Sequence, residues 1–312
     1  MKLFRLPGTE LTASSVVAGM MRIKDLTDAE IVELVGAAGA AGITMFDHAD
    51  IYGGQNHFCE SRFGQALKLT SSQREAIILQ TKCGIVPRPG QPYYDFSHDH
   101  IIAQVEGSLK ALQTDYIDIL LLHRPDTLVE PAEVAQAFDE LQAAGKVRYF
   151  GVSNHTPGQI ELLRRYVRQP LVANQVQLSL THSPLIAQGI AANMAADAQS
   201  VSRDLGLLDY ARLHDITLQA WSPFQSGFFT GVFLGDPKYA TLGALLDKLA
   251  ATYHVTPMGL ATAWIIRHPA NIQVVTGTTK PARLAEAAAG SDVVLTRADW
   301  YELFKAADHT IP

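Results

Sequence analysis

The chain of 312 residues has two cysteines, Cys59 and Cys83, too few for a disulfide framework or a thiolate metal cage. Both are expected as free thiols of a reduced, cytoplasmic protein. Apolar runs of the roughly 18 residues that a membrane helix needs are also missing. The opening MKLFRLPGTELT interrupts any signal-like apolar core with charge and proline, so neither a secretory signal nor a membrane partner is expected. Basic runs and stripes are absent, and the net charge of −6 is spread along the chain, which argues against a nucleic-acid surface. No GxGxxG follows a strand and opens a helix, and no HExxH occurs, so a Rossmann dinucleotide site and a zincin site are both set aside. His48, Asp50, His123 and His182 lack metal-site spacing, and no metal is expected.

What the sequence does have is 47% hydrophobic residues against 18% charged, the balance of a chain with a substantial core. Short apolar runs alternate with helix-period segments. Strands are expected at 15–19, 43–46, 76–81, 117–122, 147–152, 171–176, 216–220 and 272–275. Helices are expected from about Thr27, where Thr27 and Glu30 have capping-box spacing, and at 59–67, 97–112, 131–144 and 157–166. A helix near Pro281 follows the last strand, since proline suits a first turn, and one at 297–307 is an appendage. Eight strands with seven intervening helical stretches predict an α/β fold, a closed (β/α)8 TIM barrel forming one domain over 1–312. Two connections, 178–200 and 222–240, are longer than usual barrel loops. Both follow strands, so they belong to the C-terminal face where barrels hold their active sites.

The polar residues just after each apolar run therefore converge on one mouth. Asp47, His48, Asp50 and Tyr52 follow strand two; Lys82 follows strand three and His123 strand four. Ser153 and Asn154 end strand five, Asn174 and Gln175 lie in strand six, and Trp221 and Ser222 end strand seven. Asp47, Tyr52, Lys82 and His123 make a coherent proton-transfer group. A phenol is a poor acid at neutral pH, a nearby ammonium is expected to lower its pKa, and Asp47 can hold that ammonium by an ion pair. His123 can hydrogen-bond a carbonyl oxygen. Such a group serves to protonate a carbonyl while something else delivers hydride.

Asp47-His48-Ala49-Asp50-Ile51-Tyr52-Gly53 resembles the aldo-keto reductase signature. Thr81-Lys82, Leu120-Leu121-Leu122-His123-Arg124-Pro125-Asp126, Gly151-Val152-Ser153-Asn154, Asn174-Gln175-Val176 and Trp221-Ser222-Pro223 resemble further segments of that family, in its order. The likeness runs from about Leu11 to Arg297. It implies a catalytic tetrad with Tyr52 as general acid, Lys82 tuning it, Asp47 pairing with Lys82, and His123 orienting the carbonyl of a small aldehyde or ketone. It also implies NADPH (NADP), with NADH the lesser choice, lying extended across the barrel mouth. Ser153, Asn154 and Gln175 then hold the carboxamide, Trp221 stacks on the nicotinamide, and Gly19 and the Met20-Met21 pair floor the site. Ser222 and the loop through Phe224, Gln225, Ser226 and Gly227 face the pyrophosphate. The segment Thr276 to Glu286 resembles the adenosine-phosphate site, with Thr278, Arg283 and Glu286 as contacts and the helix at Pro281 adding its N-terminal amides. Here the sequence departs from the family's commonest pattern: Gly277 stands where many members have lysine and Ala287 where many have asparagine. Lys280 is expected to supply the missing charge.

Substrate selectivity is expected in the loops 87–99, 178–200 and 224–240, with Tyr93, Tyr94, Phe96, Phe228 and Phe229 as an aromatic lining. The resemblance also admits a regulatory, NADPH-binding subunit of a membrane channel with vestigial turnover. From the residues themselves, a barrel isomerase or aldolase using Lys82 as a Schiff base is a further alternative.

Overall fold

The computed structural model describes residues 1–194, 198–228 and 230–312. Eight parallel strands close into a barrel: Val16–Gly19, Met45–Asp47, Ile78–Cys83, Ile117–Leu122, Val147–Ser153, Leu171–Gln177, Thr217–Trp221 and Gln273–Thr276, hereafter strands one to eight. Neighbours pair in sequence order and strand eight pairs with strand one, so every strand points its C-terminal end toward the same mouth. Six of the eight runs carry one or two residues further toward the mouth than the apolar pattern implied. The reason is local: the polar residue ending each run (Asp47, Lys82, Ser153, Gln177, Trp221, Thr276) is still in the ladder.

The helices form where caps and apolar spacing coincide. Asp28–Ala40 starts on a full capping box in which Thr27 and Glu30 exchange hydrogen bonds, and it buries Ile31, Leu34 and Ala38. Phe58–Leu67, His98–Leu112, Pro131–Ala143 and Pro157–Arg164 follow strands two to five. Leu207–Leu213 precedes strand seven, and two helices, Ala240–Tyr253 and Pro257–Ile266, precede strand eight. Pro281–Gly290 closes the ring and Arg297–Ala306 is appended beyond it. Of the long connections, the first contains the helix Pro184–Ile190. The second contains a 3-10 turn, Pro237–Tyr239, and the two are joined where Ser179 Oγ donates to the Gln225 carbonyl at 2.8 Å.

Two hairpins lie outside the expected pattern. Leu3–Arg5 pairs antiparallel with Thr12–Ser14, and Ile85–Val86 pairs with Tyr93–Tyr94. The first packs Leu6, Leu11 and Ala13 against Val17, Met45, Ile119, Leu121 and Val172. Val17, Met45 and Val172 lie in the first two positions of their strands, so the hairpin seals that end of the barrel. Among the described residues no helix is long and apolar enough to cross a membrane.

Candidate active site

The barrel interior changes character from one end to the other. Above the apolar plug, Gln80, Gln175, Gln219 and Gln273 link across the interior. Gln80 Nε2 donates to Gln219 Oε1 at 2.9 Å, and Gln219 Nε2 donates to Gln273 Oε1 at 2.9 Å. Gln175 Nε2 donates to Gln219 Oε1 at 3.1 Å. The layer also holds the acid above it: Gln80 Nε2 and Gln175 Nε2 both donate to Asp47 Oδ1, at 2.6 and 3.0 Å. Three of these glutamines interrupt otherwise apolar strand runs. That was the available sequence signal, since a buried amide inside a strand needs partners.

The other Asp47 oxygen accepts from Lys82 Nζ at 2.7 Å. Lys82 is fully buried and spends its remaining donors on the His48 carbonyl at 2.7 Å and on Tyr52 Oη at 3.0 Å. Burial is the largest influence on Lys82 and opposes its charge, yet Asp47 and Tyr52 together outweigh it and hold the ammonium above its usual pKa. For Tyr52 the outcome is opposite to the expectation. Burial of the phenol outweighs the attraction of Lys82, and Asp47 adds to it, so the pKa is raised rather than lowered. The physical reason is that Lys82 already faces a carboxylate, which leaves less of its field to stabilise a desolvated phenolate.

His123 follows strand four and faces Tyr52 edge-on, ring centroids 5.9 Å apart at 83°. Burial, then Lys82 and Arg124, push its pKa well below the usual histidine value, so it is neutral. His48 is held down to about 3 by burial and by Lys82, and neither ring nitrogen has a hydrogen-bond partner among the described residues. Asp50 is pushed well above the usual carboxyl range by burial and by the nearby Glu60. Glu60 itself accepts from Thr81 Oγ1 and Ser108 Oγ and meets His57 Nδ1 at 2.6 Å. The turn after Tyr52 needs Gly53: its φ is +97°, and a Cβ there would lie 2.7 Å from the Phe58 ring.

These groups open into a cavity of about 850 Å³. Asp47, Tyr52 and His123 line one end; Lys82 lies beneath them. Gly19, Ser153, Asn154, Gln175, Trp221, Ser222 and Phe224 line its length, and Gly277, Thr278, Lys280 and Arg283 its far end. Asn154 and Ser222 stand at left-handed φ of 61° and 52°, an uncommon backbone for non-glycine residues that turns the chain sharply at two strand ends. Asn154 Oδ1 accepts from Trp221 Nε1 at 3.0 Å, and Ser153 Oγ donates to the Gln175 carbonyl at 2.8 Å.

Four expected residues lie elsewhere, Ser226 among them. Met20 is buried in the core, and its neighbour Met21 reaches the cavity instead. Gly227 sits beyond the wall in a tight loop closed by Ser226 N donating to the Gly231 carbonyl at 2.9 Å. Glu286 accepts from Thr256 Oγ1 at 3.2 Å and so braces the adjacent helix rather than facing the cavity. Of the expected aromatic lining, Phe228 stands edge-on to Trp221 at 6.1 Å and lines the cavity. Tyr93 and Tyr94 are exposed, Phe96 is buried against His155, and Phe229 falls outside the described residues. Burial raises both thiol pKa values, Cys59 to about 11 and Cys83 well above the usual range. Sequence reasoning missed Arg22, which lines the far end of the cavity.

Comparison with known proteins places this arrangement. The model of the aldo/keto reductase family matches residues 15–308. An uncharacterized oxidoreductase of Bacillus subtilis, YcsN, is 38% identical over 95% of each chain. A 6-dehydroglucose reductase of Agrobacterium fabrum is 36% identical over 96% of this chain and 95% of its own. The crystal structure of an aldo/keto reductase from Klebsiella pneumoniae in complex with NADP and acetate superposes with a TM-score of 0.76, covering 97% of this chain and 94% of that one at 23% identity.

Proposed function

The chain belongs to the aldo/keto reductase family, and we propose that within it this protein reduces aldehydes and ketones to alcohols with NADPH, Tyr52 acting as the proton donor. The observation that carries the reading is the position of Lys82 Nζ, which contacts Asp47 Oδ2, the His48 carbonyl and Tyr52 Oη from a fully buried site. A nicotinamide fits the same cavity against Ser153, Asn154, Gln175 and Trp221, near Tyr52. Gly19 lines this cavity without a side chain, and a Cβ there would meet the Thr276 carbonyl at 3.2 Å, while Arg22, Lys280 and Arg283 bring cations to the wall around Gly277. Ser153, Asn154, Gln175 and Trp221 would hold the nicotinamide, and Thr278, Lys280 and Arg283 the adenosine phosphates. When bound, the reduced nicotinamide supplies hydride to the carbonyl carbon.

The chain's own residues do the rest. Tyr52 gives its proton to the carbonyl oxygen, and the Lys82 ammonium stabilises the phenolate left behind, a charge that exists only as the reaction proceeds. The raised Tyr52 pKa keeps the acid form present at neutral pH. His123, neutral and edge-on to Tyr52, offers a second hydrogen bond to the same oxygen. Asp47 keeps Lys82 charged, and the glutamine layer fixes Asp47. This wiring is what a turnover enzyme needs and a purely regulatory binding module does not. It also leaves no neutral amine at Lys82 for a Schiff base.

The test is NADPH oxidation by the purified protein against a panel of aldehydes and ketones, sugar aldehydes included in view of the relative named for 6-dehydroglucose. Tyr52→Phe is expected to lower kcat by about 10²- to 10⁴-fold, while fluorescence titration shows unchanged NADPH affinity. Full activity in that variant would sink the proposal.

A further inference from the structure

We infer that Arg22, on the loop after strand one, joins Arg283 in recognising the 2′-phosphate of NADP(H), in the place that the missing lysine at 277 leaves open. The inference rests on the NADPH reading above. Arg22 and Gly277 lie 255 positions apart, yet Arg22 Nη1 donates to the Gly277 carbonyl at 2.8 Å across the junction of strands one and eight. A Cβ at 277 would sit 2.6 Å from Arg22 Nη1, so a side chain there would displace the guanidinium from its present place. The guanidinium reaching over from strand one thus occupies space that a side chain at 277 would otherwise take.

The surroundings of Arg22 point to an anion. Among the described residues its guanidinium makes that hydrogen bond to a carbonyl and no ion pair. It shares the far end of the cavity with Thr278, Lys280 and Arg283. The Lys280 charge also acts at a distance on Glu30, helping, after the two hydrogen bonds from Thr27, to hold it below the usual carboxyl range. Arg22 is the cation whose guanidinium lies on the Gly277 carbonyl, with Arg283 lining the same cavity, and a planar guanidinium can contact two phosphate oxygens at once. A phosphate monoester, present in NADP(H) and absent from NAD(H), fits that donor set.

The test is isothermal titration calorimetry of NADP⁺ and NAD⁺ binding to wild type, Arg22→Ala, Arg22→Lys and Arg22→Ala/Gly277→Lys, with melting temperatures to confirm folding. Arg22→Ala should weaken NADP⁺ about tenfold or more and NAD⁺ less than threefold, and should flatten the salt dependence of NADP⁺ binding. Arg22→Lys should keep part of the preference, and the double variant should restore it, because lysine then returns to position 277 without meeting the guanidinium. Equal weakening of both cofactors, or no weakening, overturns the inference while leaving the NADPH reading intact. Wild-type protein that binds NAD⁺ as tightly as NADP⁺ overturns both.

Discussion

The floor and the mouth of this barrel are built from the same strands, two to four residues apart, and have opposite chemistry. Strand two gives Met45 to the floor and Asp47 to the mouth; strand three gives Ile78 and then Gln80 and Lys82; strand six gives Ala173 and then Gln175. Strand four gives Ile119 and Leu121 to the apolar interior and delivers His123 two positions beyond Leu121. Because side chains alternate along a strand, residues two apart share a face, and in a closed parallel barrel all inward faces run from floor to mouth together. The floor is held by burial alone. The mouth is held by hydrogen bonds between groups that would each be costly to bury singly, with the glutamine layer as the boundary. The difference teaches which residues can be changed without touching chemistry.

The comparison breaks most sharply at Asp47. Asp47→Asn keeps the volume but leaves the buried Lys82 ammonium without its counter-charge, and should cost about 3–5 kcal/mol of stability together with a loss of kcat, read by urea denaturation and by turnover. On the floor, Leu6→Ala should also cost about 2–5 kcal/mol, since the strands that close around this buried side chain cannot collapse into the space. There, however, kcat per folded molecule should stay near wild type. A large fall in kcat with Leu6→Ala would show that floor and mouth are not independent.

Smaller effects come from protons. His48 and His155 have their pKa values pushed down to about 3 and about 4, chiefly by burial. Unfolded chains take up protons at these positions below about pH 6.5 and the folded chain does not, so stability is full above that pH and falls as pH drops toward 4. Each such histidine contributes about 1.4 kcal/mol per pH unit. Denaturation midpoints at pH 7, 6 and 5 check this, and His48→Leu, which removes no hydrogen bond made by the described residues, should make the slope shallower.

Much of this was legible in sequence because its cues are local. The capping box at Thr27 and Glu30, the apolar runs and the proline at 281 each act within a few residues, and the helices and strands form where those cues lie. The strand-end residues Asp47, Tyr52, Lys82 and His123 come together because closure of the barrel leaves them no other place. Met20 and Met21 mark where legibility stopped: a shift of one position exchanges core for cavity, and nothing in the pair distinguishes them. The N-terminal hairpin was missed because three-residue strands give no periodicity, and Tyr52's raised pKa because burial is not written in spacing.

By itself, the sequence determined the alternation of strands and helices, hence the parallel barrel, hence the one mouth onto which its polar strand ends converge. Tertiary structure alone decided the glutamine layer, the balance of burial against charge at Tyr52, and the meeting of Arg22 with Gly277. These depend on register between strands far apart in the chain and on desolvation, which is a property of the closed barrel and of no segment within it.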